Sequence, residues 1–226
     1  MMKNKINYLA ILVFYIIAVL CRYLTNKLGI VDNIENPYLK SILTGIGPTI
    51  GAIAVFTIFK IKPVMNMKGN YKKIIFPIAI YWILPILLIS TVSYYVKGTF
   101  PWILVFSILI YGLLEEIGWR GFLYQHLKTL TLFQNILIVS TLWFFWHLNF
   151  EFSSSNLLFY GIIVFGTWGI GKVADSTNSL IAVSAFHSLN NFFPNLDLTK
   201  ILILITLLVI WIVGLVIKKR AQKNIG

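Results

Sequence analysis

The sequence has a single cysteine, Cys21, and only seven acidic residues among 226. One cysteine excludes a disulfide framework and any cysteine-based zinc site. Charged residues of both signs make up 12% of the chain, about half of the ~25% usual in soluble domains, against 58% hydrophobic residues. Too few charges remain to cover a surface facing water, so a disordered or soluble globular chain is excluded and an integral membrane protein is implied. The small residues of a signal-peptide cleavage site are also missing, and the first apolar run continues through Tyr23 and Leu24. Residues 7–24 are therefore expected to form an uncleaved first membrane helix. No internal repeat or low-complexity tract is present.

What is present is apolar and basic. A helix needs about 20 residues to cross roughly 30 Å of hydrocarbon. Runs of that order lie at about 7–24, 41–59, 74–96, 101–127, 132–150, 156–172, 178–194 and 199–217. The expectation is an all-α, polytopic membrane protein of about eight transmembrane helices. It forms one membrane domain over 1–226, with a motif-bearing core at about 101–195.

The 19 basic residues outnumber the acidic ones and give a net charge of +12. In a soluble domain this balance would suggest nucleic acid. Here the basic residues flank apolar runs, so membrane lipid is the expected partner and nucleic acid is not. With the N-terminus inside, the cytoplasmic side holds Lys3, Lys5, Lys60, Lys62, Lys68, Lys72, Lys73, Lys128, Lys172, Lys218, Lys219, Arg220 and Lys223. The outer side holds Arg22, Lys27, Lys40, Lys97 and Lys200. This bias predicts a multi-pass protein of the cell membrane with both termini cytoplasmic. The basic 60–73 loop reads as a topology signal.

Gly166–Val173 nearly spells a phosphate-binding loop, but Val173 stands where a magnesium-binding Ser or Thr is needed. Its glycines lie in an apolar helical run, where small residues allow close helix packing.

A charge near the bilayer centre costs about 2.5–3.5 kcal/mol on insertion scales, so intramembrane charges mark function by default. The fourth run contains Glu115, Glu116 and Arg120 between apolar turns. Glu116 and Arg120, four apart, can pair along one face. Glu115 is turned about 100° away from Glu116 and is free to aim elsewhere. The fifth run carries Trp143 and His147; the seventh carries His187 and Asn191, again four apart. Together they offer a carboxylate, two imidazoles and a carbonamide, enough to activate a water or hold a metal ion. His126, beside Lys128 at the cytoplasmic end, is assigned no role.

These residues carry a resemblance. Glu115-Glu116-x-x-x-Arg120, an aromatic-x-x-x-His at Trp143–His147, and His187-x-x-x-Asn191 after Ser179-Leu180 resemble the CPBP family. That family comprises CAAX prenyl proteases and bacterial bacteriocin-processing or immunity (Abi) proteins. The resemblance covers about 111–193, and it departs where Trp143 replaces the family's usual Phe. It implies an intramembrane endopeptidase of eight helices that hydrolyses membrane-associated peptides or protein termini in a water-filled cavity. The expected partner is a peptide or lipidated-peptide substrate entering from the membrane or cytoplasmic side. The alternative is a non-proteolytic scaffold or bacteriocin self-immunity protein on the same fold. A proton-coupled transporter is disfavoured, because the polar residues cluster and do not form a line across the membrane. The Lys-, Asn- and Ile-rich composition looks bacterial.

In the expected mechanism Glu115 and His147 bind and deprotonate water, and His187 and Asn191 stabilise the oxyanion. Glu116 and Arg120 fix the helix, and the arginine fork also suits a substrate carboxylate. Whether Glu115, His147 and His187 hold Zn2+ or act without a metal stays open at this level. One mismatch remains. Taken at full length, the fourth and fifth spans put Glu115 and His147 at depths differing by roughly 13 Å. A fifth span starting nearer Asn135, tilt, or a broken helix would remove it.

Overall fold

The computed structural model describes residues 6–192, with 198, 201–203, 205–207, 209, 210 and 213. The described residues form helices joined by connecting segments, with no strand beyond one isolated bridge between Asn66 and Ser179. The expected last span at 199–217 falls largely outside them, as do Lys3, Lys5 and the basic tail.

Helix α1 (Tyr8–Asn26) starts where the Asn7 side chain accepts the Ala10 N–H, satisfying one of the free amides of the first turn. The second expected span is two helices, α2 (Pro37–Thr44) and α3 (Gly47–Ile58), bent by 41°. Pro48 at the start of α3 cannot donate back into α2, which breaks the run there. The third comprises α4 (Tyr71–Ile78), a π-turn over Ala79–Ile83 and α5 (Leu84–Lys97). Helix α6 (Trp102–Gly118) runs into a second π-turn, Trp119–Tyr124. The remaining helices are α7 (Leu132–Trp146), α8 (Ser154–Thr177) and α9 (Leu180–Phe192).

Among the described residues four continuous segments are long and apolar enough to cross a membrane: Tyr8–Asn26, Tyr71–Lys97, Trp102–Tyr124 and Ser154–Thr177. The bent α2–α3 pair would be a fifth. The fold class is thus all-helical with membrane-spanning segments, but eight full spans are not reached among the described residues. Helix α7 is too short because it stops at His147, followed by Leu148 in the left-handed region at φ 56°. It begins on a capping box in which Thr131 and Gln134 exchange hydrogen bonds.

In lipid, apolar surface gains little by moving from hydrocarbon to protein, so close packing carries helix association. Small residues supply it here. A Cβ on Gly51 would lie 2.7 Å from the Phe14 carbonyl oxygen, and one on Gly118 would lie 2.5 Å from Pro48. These contacts bring α3 against both α1 and α6. In the phosphate-loop lookalike, Gly169 faces the Phe186 ring and Gly171 faces Tyr124, inside α8. Those glycines serve helix packing, as their setting indicated.

The basic 60–73 loop does more than flank a span. Its Asn66 and Met67 carbonyls accept the Leu180 and Ile181 N–H groups, and Asn70 N–H donates to Thr177 O. Ser179, before α9, donates through Oγ to Met67 O and accepts the Ala182 N–H. The loop therefore satisfies the free amides at the start of the helix that carries His187.

Candidate active site

Glu115 and Glu116 are both buried near the end of α6, and they point to different partners. Glu115 Oε2 accepts the Trp143 Nε1–H at 2.8 Å. Glu116 Oε1 accepts Arg120 Nη1 at 2.7 Å and meets His187 Nδ1 at 2.6 Å. The expected Glu116–Arg120 pair is present, and it extends across to α9. Arg120 is completely buried, with Cζ 4.6 Å from the centre of the Trp143 ring. It therefore has no free face for a substrate carboxylate.

The two histidines are held alike. His147 Nδ1 lies 2.8 Å from the Trp143 carbonyl oxygen, which can only accept, so the proton is on Nδ1. In the neutral ring Nε2 then carries the lone pair. His187 Nδ1 is likewise occupied, by the Glu116 carboxylate. Anchoring one ring nitrogen in this way fixes the orientation of the other.

Glu115, His147, His187 and Asn191 line one cavity of about 70 Å³, closed by Trp143, Tyr111 and apolar side chains of α8. That is room for a few waters or one reacting group. Asn191 Nδ2 is buried and donates to nothing among the described residues. Glu116 and Arg120 stand behind the cavity wall. The expected metal set Glu115, His147 and His187 shares this cavity. Even so, no three His, Cys, Asp or Glu side chains among the described residues are arranged to hold a cation. As arranged, the residues do not fit a metal, and the chemistry below is written through side chains alone.

The depth mismatch is narrowed by one hydrogen bond. Asn135 Nδ2 donates to the Tyr124 carbonyl at 2.9 Å, which brings these two residues together. From there His147 is twelve residues along α7, about 18 Å, and Glu115 is nine residues back along α6, roughly 13–14 Å. The roughly 13 Å difference shrinks to about 4–5 Å, within reach of the two side chains.

Two contributors went unrecognised in the sequence. Trp143 stands in the sequence only as an aromatic in place of Phe, yet its N–H reaches Glu115; a buried indole needs an acceptor, and that was the available signal. Tyr111, one turn before Glu115 on the same face, interacts with Glu115 and with Arg22. His126 also has a place. Its Nε2 accepts the Asn7 N–H at 3.0 Å and its ring stacks on Phe122, tying the start of α1 to the motif helix.

Residues 97–193 match the family model described as Rce1-like, type II CAAX prenyl endopeptidase, which bears out the resemblance carried by the three motifs. No curated protein and no solved structure matches the chain.

Proposed function

We propose that this protein is an intramembrane endopeptidase that hydrolyses membrane-associated peptides or protein termini, using water activated by Glu115 and His147. The carrying observation is the shared cavity. A carboxylate, an imidazole fixed with its Nε2 free and an unpaired amide donor converge on a space of about 70 Å³.

A water between Glu115 and His147 Nε2 loses a proton to the carboxylate as its oxygen adds to the scissile carbonyl. Asn191 Nδ2 donates to the developing oxyanion, and His187 Nε2 does so when the ring carries both protons, its Nδ1–H held by Glu116, in a site with little water. Collapse of the adduct breaks the C–N bond, and the proton held by Glu115 passes to the leaving amine. Glu116 and Arg120 act indirectly, by fixing His187 and the end of α6. The basic bias of the cytoplasmic loops supports a cell-membrane protein with both termini inside.

The test compares peptide termini in membranes of cells carrying wild-type protein or Glu115→Ala at equal expression. Termini found only with wild type establish the activity and reveal the substrate. Identical termini, with the host phenotype still rescued by Glu115→Ala, would replace this reading with the scaffold.

A further inference from the structure

The segment joining α3 to α4 carries Lys60, Lys62 and Lys68, and the first turn of α4 adds Lys72 and Lys73. All five are exposed. Among the described residues none of them is paired with a carboxylate; the acidic partners go to Lys40, Arg120, Lys128 and His187. The sequence holds no acidic residue at all between Glu35 and Glu115. Val64, Met67 and Tyr71 are exposed among the lysines, and Tyr71 begins a segment able to cross the membrane. Apolar side chains that can enter the acyl boundary, interleaved with ammonium groups, suit a surface of anionic lipid headgroups.

A topology signal needs only its charges, and its backbone can take any course. This backbone is fixed. Leu180 N–H donates to Asn66 O at 2.9 Å, Ser179 Oγ to Met67 O at 2.9 Å and Asn70 N–H to Thr177 O at 2.8 Å. Gly69, at φ 59°, lies so close to the turn before α9 that a Cβ there would overlap Thr177 O. The neighbouring Met65 is buried. Lys68 is therefore part of the joint, and Lys72 and Lys73 follow within four residues of Gly69. On the other side of the joint, Leu180 is seven residues, about 10 Å, before His187 on the same helix. Placement of the first turn of α9 is thus carried to His187 and Asn191.

We propose that the 60–73 loop binds the phosphate headgroups of anionic phospholipid through its lysines, and that this binding holds the start of α9, and with it His187 and Asn191, in place. Hydrogen bonds made by an exposed loop open locally, and a ligand that favours the docked loop shifts that equilibrium toward it. The lipid site stands on the loop alone; its control of hydrolysis rests on the endopeptidase reading and deepens it.

The test is hydrogen exchange of full-length protein in nanodiscs of phosphatidylcholine alone, or of phosphatidylcholine and phosphatidylglycerol in equal parts. Phosphatidylglycerol should slow exchange of the Leu180 and Ile181 amides about fivefold or more and leave amides in the middle of α8 unchanged. Each lysine contributes about fivefold to lipid affinity, so removing three lowers it about a hundredfold. Lys68→Gln, Lys72→Gln and Lys73→Gln combined should abolish the slowing, and Lys68→Arg, Lys72→Arg and Lys73→Arg combined should keep it. Equal exchange in the two lipids overturns the proposal, even if the glutamine variant fails to fold. So does slowing that survives the glutamine substitutions, or that extends equally to α8. The same slowing by glycerol 3-phosphate added to phosphatidylcholine discs assigns the loop to a soluble phosphate and also overturns it. Hydrolysis is measured separately, as peptide termini formed from a native membrane extract by wild type and not by Glu115→Gln. Lipid-dependent exchange without hydrolysis upholds the lipid site and rejects the endopeptidase, whereas hydrolysis with unchanged exchange does the reverse. Slowed exchange with equal hydrolysis in both lipids overturns the control of the catalytic residues.

Discussion

Trp143 Nε1–H donates to Glu115 Oε2 at 2.8 Å, joining α7 to α6 at the carboxylate proposed to activate water. The same indole covers the Arg120 guanidinium on one face and lies 5.2 Å, ring centre to ring centre, from His187. One side chain thus aims the general base, shields the ion pair behind it and packs beside the second imidazole.

Trp143→Phe keeps an aromatic ring in place but removes the pyrrole part of the indole, and the N–H with it. A hydrogen bond to a charged group contributes about 1.5–3 kcal/mol. Steady-state kinetics should show kcat reduced about tenfold to a hundredfold with little change in KM. An unchanged kcat would mean that Trp143 only fills space.

The Glu116–Arg120 pair is fully buried, and removing one partner leaves the other uncompensated. Breaking a buried pair costs about 3–5 kcal/mol, whereas replacing both partners with apolar residues is often neutral. Glu116→Leu and Arg120→Met should each lower the thermal unfolding midpoint in detergent. The double variant should recover much of the loss yet remain inactive, because His187 Nδ1 loses its anchor.

His126 gives a pH dependence of stability. Burial lowers its pKa below the usual value, and the Asn7 N–H can be accepted only by an unprotonated Nε2. The unfolded chain, with a pKa near about 6.5, takes up this proton first as pH falls. The His126 contribution is therefore present above about pH 6.5 and lost as pH drops through the lowered folded value. Unfolding midpoints from pH 8 to 5 should fall more steeply for wild type than for His126→Phe, which keeps the stacking and cannot titrate. Parallel curves would refute the assignment.

Because no metal-holding group is formed by Glu115, His147 and His187, hydrolysis should continue after chelation. The check is turnover of protein stripped with a strong chelator and shown metal-free by elemental analysis. Loss of activity restored by zinc would require these side chains to close around a cation in the working enzyme.

Much of this was written in the chain. Apolar runs and sparse charge determined helices in a membrane, because hydrocarbon cannot satisfy an open backbone. The spacing of Glu115, Glu116 and Arg120 determined that one carboxylate pairs within its helix while the other turns away, since a helix fixes those angles by itself. Spacing also marked His187 and Asn191 as one face of α9.

Contacts between helices were decided elsewhere. That Asn135 meets Tyr124, that His187 shares the Glu116 oxygen with Arg120, and that Trp143 reaches Glu115 all depend on how α6, α7 and α9 cross. Arg22 changed most. Its place near the end of an apolar run reads as a membrane-surface charge, and only the approach of α2 and α7 turns it into a fixed guanidinium beside the catalytic cavity. Periodicity reports the face a residue occupies on its own helix; which neighbour covers that face is settled when the helices pack.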